Sequence, residues 1–315
     1  MIEGPNDCSQ ERKFLFFWWR EKKPSVSRED YAKSVIRPES FTSLDRLRLE
    51  GKALAAECLF CFGHFLREMG TIILGYIGPM RAFIEIIRGD ETVREMAALT
   101  VEPSSNLATA PILLFLHGKG EAGLLPNELP KVLIHQTPPF QAILGCLRGA
   151  VVIAPQAPYG PTEENWNWRD HLRGLAEFLH RDRFAKRRIV ATGFSRGGLG
   201  VLQLVLAYPE LVGAWAVVDP QPARDQEETS AILSNGAIGA KGWLRYGDLR
   251  NRDNTWRNFA SGLLAKLHHG DCDVTQLGHS DMALQAYGGS RLSELPQNTN
   301  LYNFLGLEFQ AASLN

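Results

Sequence analysis

Cysteine is scarce in this chain, and its five copies fit no pattern of use. Cys8, Cys58, Cys61, Cys146 and Cys272 are scattered and odd in number. That argues against a disulfide framework and predicts free, mostly buried thiols in a reducing, cytoplasmic setting. Cys58-x-x-Cys61-x-x-His64 lacks a second ligand pair and lies within an apolar helical pattern. It reads as the core face of a helix, so neither a metal nor a cofactor is expected. Charge of one sign is missing too. The net charge of −1 gives no reason to expect nucleic acid or an anionic membrane surface as partner. Long apolar runs are absent. Phe14–Trp19 is too short to span a bilayer, and Glu57, Arg67 and Glu68 interrupt the apolar stretch 53–80. The opening Met-Ile-Glu-Gly-Pro-Asn-Asp has neither the basic start nor the apolar run of a secretory signal. What is present is ordinary for a globular protein: 44% apolar and 22% charged residues over 315 positions.

The pattern along the chain divides it near residue 80. Residues 1–80 read as a helical N-terminal extension, with a helix from about Leu44 to Met69 capped by Thr42 or Ser43. This extension is a candidate for a substrate pocket or a homodimer surface. Residues 81–315 read as one α/β domain. Phe83–Ile87 and Val93–Val101 predict a β-hairpin. Continuous apolar runs at Ile112–Leu116, Val151–Ala154, Arg188–Thr192, Gly213–Val218 and Gly242–Tyr246 predict buried parallel strands, and Val274–Leu277 a last one. Helical stretches fall between them, including Asp170–Phe184 and Thr255–Leu267. Alternating strands and helices give a doubly wound, mostly parallel sheet.

Residues 189–200 read Ile-Val-Ala-Thr-Gly-Phe-Ser-Arg-Gly-Gly-Leu-Gly. A strand that turns into a helix through Gly193-x-Ser195-x-Gly197 is a nucleophile elbow, with the serine raised on a strained turn. Ligands of such sheets bind at the carboxyl ends of the strands. The residues there are His117-Gly118, Pro155-Gln156, Ser195, Asp219, Asp248 and His279, all suited to chemistry.

A serine hydroxyl needs a base. Of eight histidines, His279 is the candidate, because it follows the last predicted strand in a glycine-containing loop. His135, His171 and His180 are expected on helix faces, and His268 and His269 at a solvated helix end. The imidazole needs a carboxylate from between serine and histidine in chain order. Asp248 is favoured, with Asp253 and Asp219 as alternatives. Asp253 also reads as a helix cap. An oxyanion would meet the backbone amide of Arg196 and amides of the glycine-rich loop 117–123. Trp166 and Trp168 are candidates for lining the entrance.

Together, Leu114–Gly118 with Gly120-Glu121, Ala154–Pro158, Arg188–Gly200 with Tyr208–Glu210, and Gly278-His279 with Ala286-Tyr287 resemble the α/β-hydrolase fold. The likeness is to the carboxylesterase/phospholipase and polyhydroxybutyrate-depolymerase-like serine esterases, over roughly residues 82–290. The resemblance implies a three-layer sandwich and ester hydrolysis through an acyl-enzyme. It also implies Ser195 as nucleophile, His279 as base and the amides of Lys119 and Arg196 as the oxyanion hole. The substrate would be a small ester-like molecule, and Lys119 and Arg196 would favour one bearing a carboxylate. The family's usual acid position falls here on Arg250. Acyl transfer, lactonisation, C–C bond hydrolysis or peptide cleavage would suit the same residues, as would a binding role on the same scaffold.

Overall fold

The computed structural model describes residues 80–88, 95–103, 108–123, 126–158, 167–184, 186–235, 242–247, 252–267, 269–272, 278–287 and 301–309. The expected N-terminal extension, Asp248, Trp166 and the strand expected at 274–277 lie outside them.

Eight strands form one sheet in the order β1-β2-β4-β3-β5-β6-β7-β8. They are β1 Met80–Ile87, β2 Met96–Pro103, β3 Ile112–Leu116, β4 Val151–Gln156, β5 Ile189–Phe194, β6 Ala214–Val218, β7 Gly242–Tyr246 and β8 His269–Cys272. The first two form the expected hairpin, with Ile87 opposite Met96. β2 runs antiparallel to β4, and every pairing from β4 onward is parallel. The central strands β3, β4 and β5 are buried along their whole length. Strands covered on both faces read as unbroken apolar runs, which is why their positions follow from sequence.

The helices are α1 Pro138–Ile143, α2 Leu172–Leu179, α3 Arg196–Ala207, α4 Gln226–Ser234, α5 Asn254–Leu264, α6 His279–Tyr287 and α7 Leu301–Phe304. The buried side chains fall into two apolar clusters. One gathers Ile112, Leu114 and Ile153 with residues of α2, α3 and α5; the other gathers Leu113, Phe115 and Val152 with residues of α1, α6 and α7. Alternate residues of β3 enter opposite clusters, as the two-residue period of a strand requires. The result is the three-layer sandwich expected.

Three differences from expectation have physical causes. The strand beside β7 is His269–Cys272, so His269 starts a strand pairing with Trp243 instead of ending a helix. This strand sits at the sheet edge and is polar, so it lacks the apolar run of a central strand. The helix expected over Asp170–Phe184 stops at Leu179, where the amide of His180 bonds back to Ala176. His135 does not lie on a regular helix face. A kink at Ile134–His135 leaves His135 with φ 65°, ψ 24°.

Candidate active site

β5 delivers the nucleophile candidate. Ser195 has φ 57°, ψ −118°, a region that L-residues other than glycine seldom occupy. Strain of this kind persists only where neighbours hold it. Here the Ser195 amide donates to Val218 O at 3.0 Å, and its carbonyl accepts from Gln221 N at 2.9 Å and Leu199 N at 3.3 Å. The glycines leave no choice. A Cβ on Gly193 would fall on the carbonyl of Gly197, and one on Gly197 would fall on the carbonyls of Leu116 and His117. The elbow expected from the sequence is thus present, with Arg196 opening α3.

β6 delivers the acid candidate that meets His279. Asp219 follows it directly with φ 45° and is fully buried. Its amide donates to Arg245 O of β7 at 2.7 Å, and its Oδ1 accepts from Gly247 N at 3.4 Å. Its Oδ2 takes a hydrogen bond from Arg252 Nη2 at 2.7 Å and a short one from His279 Nδ1. So the carboxylate on His279 is Asp219, one of the three aspartates open on sequence. Asp253 caps α5, its Oδ1 accepting from Trp256 N at 3.0 Å. Residue order cannot separate the three. The deciding fact is spatial: His279 Nδ1 meets Asp219 in the fold.

α6 delivers the imidazole, His279 being its first residue. The ring packs on Phe194, the residue before the serine, with centroids 4.5 Å apart, and meets the edge of Trp256 at 6.2 Å. With Nδ1 committed to Asp219, Nε2 is the nitrogen left for the serine side. Among the described residues no hydrogen bond joins the Ser195 hydroxyl to His279. Hydrogen bonds of this kind often tighten only with substrate.

The loop after β3 carries His117, Gly118 and a short 3₁₀ turn, Lys119–Glu121. It is stapled to the end of β4. Gln156 Nε2 donates to Glu121 O and to Glu128 O at 2.8 Å each, and Gly123 N donates to Ala157 O at 3.1 Å. His117 is buried. Its Nε2 accepts from Ala157 N at 2.9 Å, which puts the proton on Nδ1, 2.7 Å from Gly118 O. Burial holds its pKa down at about 3, against the contrary pull of that carbonyl, so the ring stays neutral. Trp168 lines a cleft beside Arg196. It is buried, and its Nε1 donates to His117 O at 3.1 Å.

Glu121 was not expected to matter. It is buried, and its Oε2 has no hydrogen-bond partner among the described residues. Burial pushes its pKa up to about 7, against the amides of Glu121 and Gly118 and the charge of Lys131. Its Oε1 lies 3.6 Å from His135 Nε2. Burial, then the charge of His279, holds His135 below the usual histidine value. The only sequence signal is the glutamate's place three residues beyond Gly118.

The Arg196 side chain reaches Gln221 Oε1 at 3.3 Å and faces a cleft of about 110 Å³ shared with Arg169 and Arg224. Burial, and then the Arg224 charge, lowers its pKa. Among the described residues no cluster of side chains suits a metal ion, and no helix is long and apolar enough to cross a membrane.

No protein-family model and no curated protein sequence matches the chain. Solved structures do match. An acylaminoacyl peptidase from Pyrococcus horikoshii superposes with TM-score 0.50 at 14% identity, over 78% of this chain and 44% of its own. An S-formylglutathione hydrolase from Agrobacterium tumefaciens gives 0.49 at 15%, over 67% of this chain and 92% of its own. A thermostable esterase gives 0.48 at 16%, over 74% of this chain and 64% of its own. Likeness at such identity is likeness of fold, and the fold is that of the α/β-hydrolases.

Proposed function

We propose that the chain is a serine hydrolase that cleaves a carboxylic ester through an acyl-enzyme. The observation that carries this reading is the pairing of His279 Nδ1 with buried Asp219, on a ring stacked against the residue that precedes a strained Ser195. Asp219 fixes the imidazole tautomer and stabilises the imidazolium. His279 Nε2 takes the serine proton as Ser195 Oγ bonds to the carbonyl carbon. The negative charge moves to the carbonyl oxygen, facing the amides of Lys119 and Arg196 and the N-terminus of α3. His279 then protonates the departing alcohol. Water, deprotonated by the same imidazole, releases the acid. No metal or cofactor is required by this sequence of steps.

The cleft beside Arg196 carries three arginines, Arg169, Arg196 and Arg224, against two acids, Asp225 and Glu228, and that excess of positive charge supports a substrate with a carboxylate. An anion there would relieve the mutual repulsion of Arg196 and Arg224. Acyl transfer would use the same groups with an alcohol in place of water.

Ser195→Ala should abolish turnover of p-nitrophenyl acetate and labelling by a fluorophosphonate, while the thermal melt stays cooperative. Undiminished turnover by that variant overturns the reading.

A further inference from the structure

Two carboxyl–imidazole pairs flank the dipeptide Phe194–Ser195. The proposed mechanism uses one, Asp219–His279. The other is Glu121–His135, whose imidazole also packs on Phe194, with ring centroids 5.8 Å apart. Glu121 belongs to the loop that carries the proposed oxyanion amides. A Cβ built on Gly118 would lie 3.1 Å from Glu121 Oε2, 3.3 Å from Ser195 Cβ and 3.4 Å from the Phe194 ring. The unpartnered carboxyl oxygen and the foot of the nucleophile therefore border one small space, which the absence of a side chain on Gly118 keeps open.

We propose that Glu121 is a positioning residue of the serine site: its uncharged carboxyl, buried beside Gly118, packs the oxyanion loop against Ser195, and an ionised carboxylate there would set a negative charge where the reaction must build its own. This rests on the serine-hydrolase reading above. No bond at Glu121 forms or breaks during turnover. It keeps its proton and so places no net charge beside the reacting centre.

The surroundings of Glu121 agree. From the 3₁₀ segment Pro126–Gln136 it faces His135 and Lys131, and Lys131 is held by Glu128 Oε1 at 2.7 Å. From β4 it meets Gln156, which donates to its backbone carbonyl, not its carboxyl. From α6, His279 and Asp281 act on His135 with opposite sign. From the elbow it meets Ser195 and Phe194, while the Arg196 guanidinium is turned to Gln221. The amides of Gly118 and of Glu121 itself, with the Lys131 charge, favour the ionised carboxylate, and burial outweighs all three.

The test is the pH dependence of kcat/KM for p-nitrophenyl acetate with the full chain, from about pH 5 to about pH 9. The wild type should lose activity as Glu121 ionises near pH 7. Glu121→Gln keeps an uncharged side chain in place and should remove that falling limb. Glu121→Ala should lower kcat/KM about tenfold, less than the 10²–10³ lost with a full oxyanion donor. A falling limb that survives in Glu121→Gln overturns the proposal. Infrared spectroscopy of the wild type needs no variant: a protonated carboxyl band should fade through pH 7, and a folded protein without that band at pH 6 overturns the proposal as well. Turnover that survives Ser195→Ala sinks the serine reading and this proposal together. A dead Ser195→Ala with an unchanged limb in Glu121→Gln sinks this proposal alone.

Discussion

Asp219–His279 and Glu121–His135 are made of the same two functional groups, yet they sit in different electrostatic surroundings. The Asp219 carboxylate accepts from the amide of Gly247 at Oδ1, its own amide donates to Arg245 O, and its Oδ2 is shared between Arg252 and His279. Glu121 has one oxygen 3.6 Å from His135 and the other without a partner among the described residues. Burial pushes that glutamate up and that histidine down, so both lean to their neutral forms. What separates the pairs is the guanidinium: Arg252 bonds the carboxylate of Asp219, while Glu121 meets only backbone amides and the more distant Lys131.

The largest way to break the comparison is to remove the acid of the Asp219–His279 pair. Asp219→Asn should lower kcat by about 10⁴, leaving the imidazole in the wrong tautomer. Asp248→Asn should stay within about threefold, since Asp219 already occupies His279 Nδ1. Initial rates on p-nitrophenyl acetate decide between them, and a dead Asp248→Asn beside an active Asp219→Asn would reverse the assignment.

The second test sharpens the neutral pair through stability. A carboxyl with a usual pKa of 4.5 raised to about 7 keeps its proton in the folded chain while the unfolded chain has lost it. Stability therefore falls as pH rises from about 4.5 to about 7, and the cost then stays constant. Glu121→Gln should gain on the wild type in urea melts at pH 8, by up to about 3 kcal/mol, and show no gain near pH 4. The neutral histidines have the opposite sign. His117, with a pKa held near 3, and His135 and His171, also lowered by burial, stay uncharged in the folded chain while the unfolded chain protonates below 6.5. Their contribution is lost as pH falls below about 6.5, most of it by pH 3 for His117.

The smallest effect concerns Arg252, whose guanidinium lies over Trp256 at 4.3 Å while it bonds Asp219. Arg252→Met keeps the packing and removes one donor. It should lower kcat only about threefold, because His279 still holds the same oxygen.

Much of this was legible in sequence. β3, β4, β5 and β7 lie within a residue or two of their apolar runs, and Gly193, Ser195 and Gly197 announce the elbow. The acid was less legible. Asp219 and Asp248 both follow apolar runs, and it is the contact of His279 Nδ1 with Asp219 in the fold that favours Asp219. α4 went unread because its sequence is mostly polar, although Asp225 caps it by accepting from Glu228 N at 2.6 Å. Glu121 and His135 were unreadable for a different reason. Their meaning depends on a kinked 3₁₀ segment folding back on a loop, and no periodicity encodes that approach.

At the crossing of the elbow and the β3 loop, main chain touches main chain, with Gly197 lying against the carbonyls of Leu116 and His117. Nothing compressible separates the limb carrying the hydroxyl from the limb carrying the glycine-rich amides. A side chain at Gly197 has no room at this crossing, so any change made to the surroundings of Ser195 has to come from side chains such as Arg196 or Gln221 and not from the backbone beneath them.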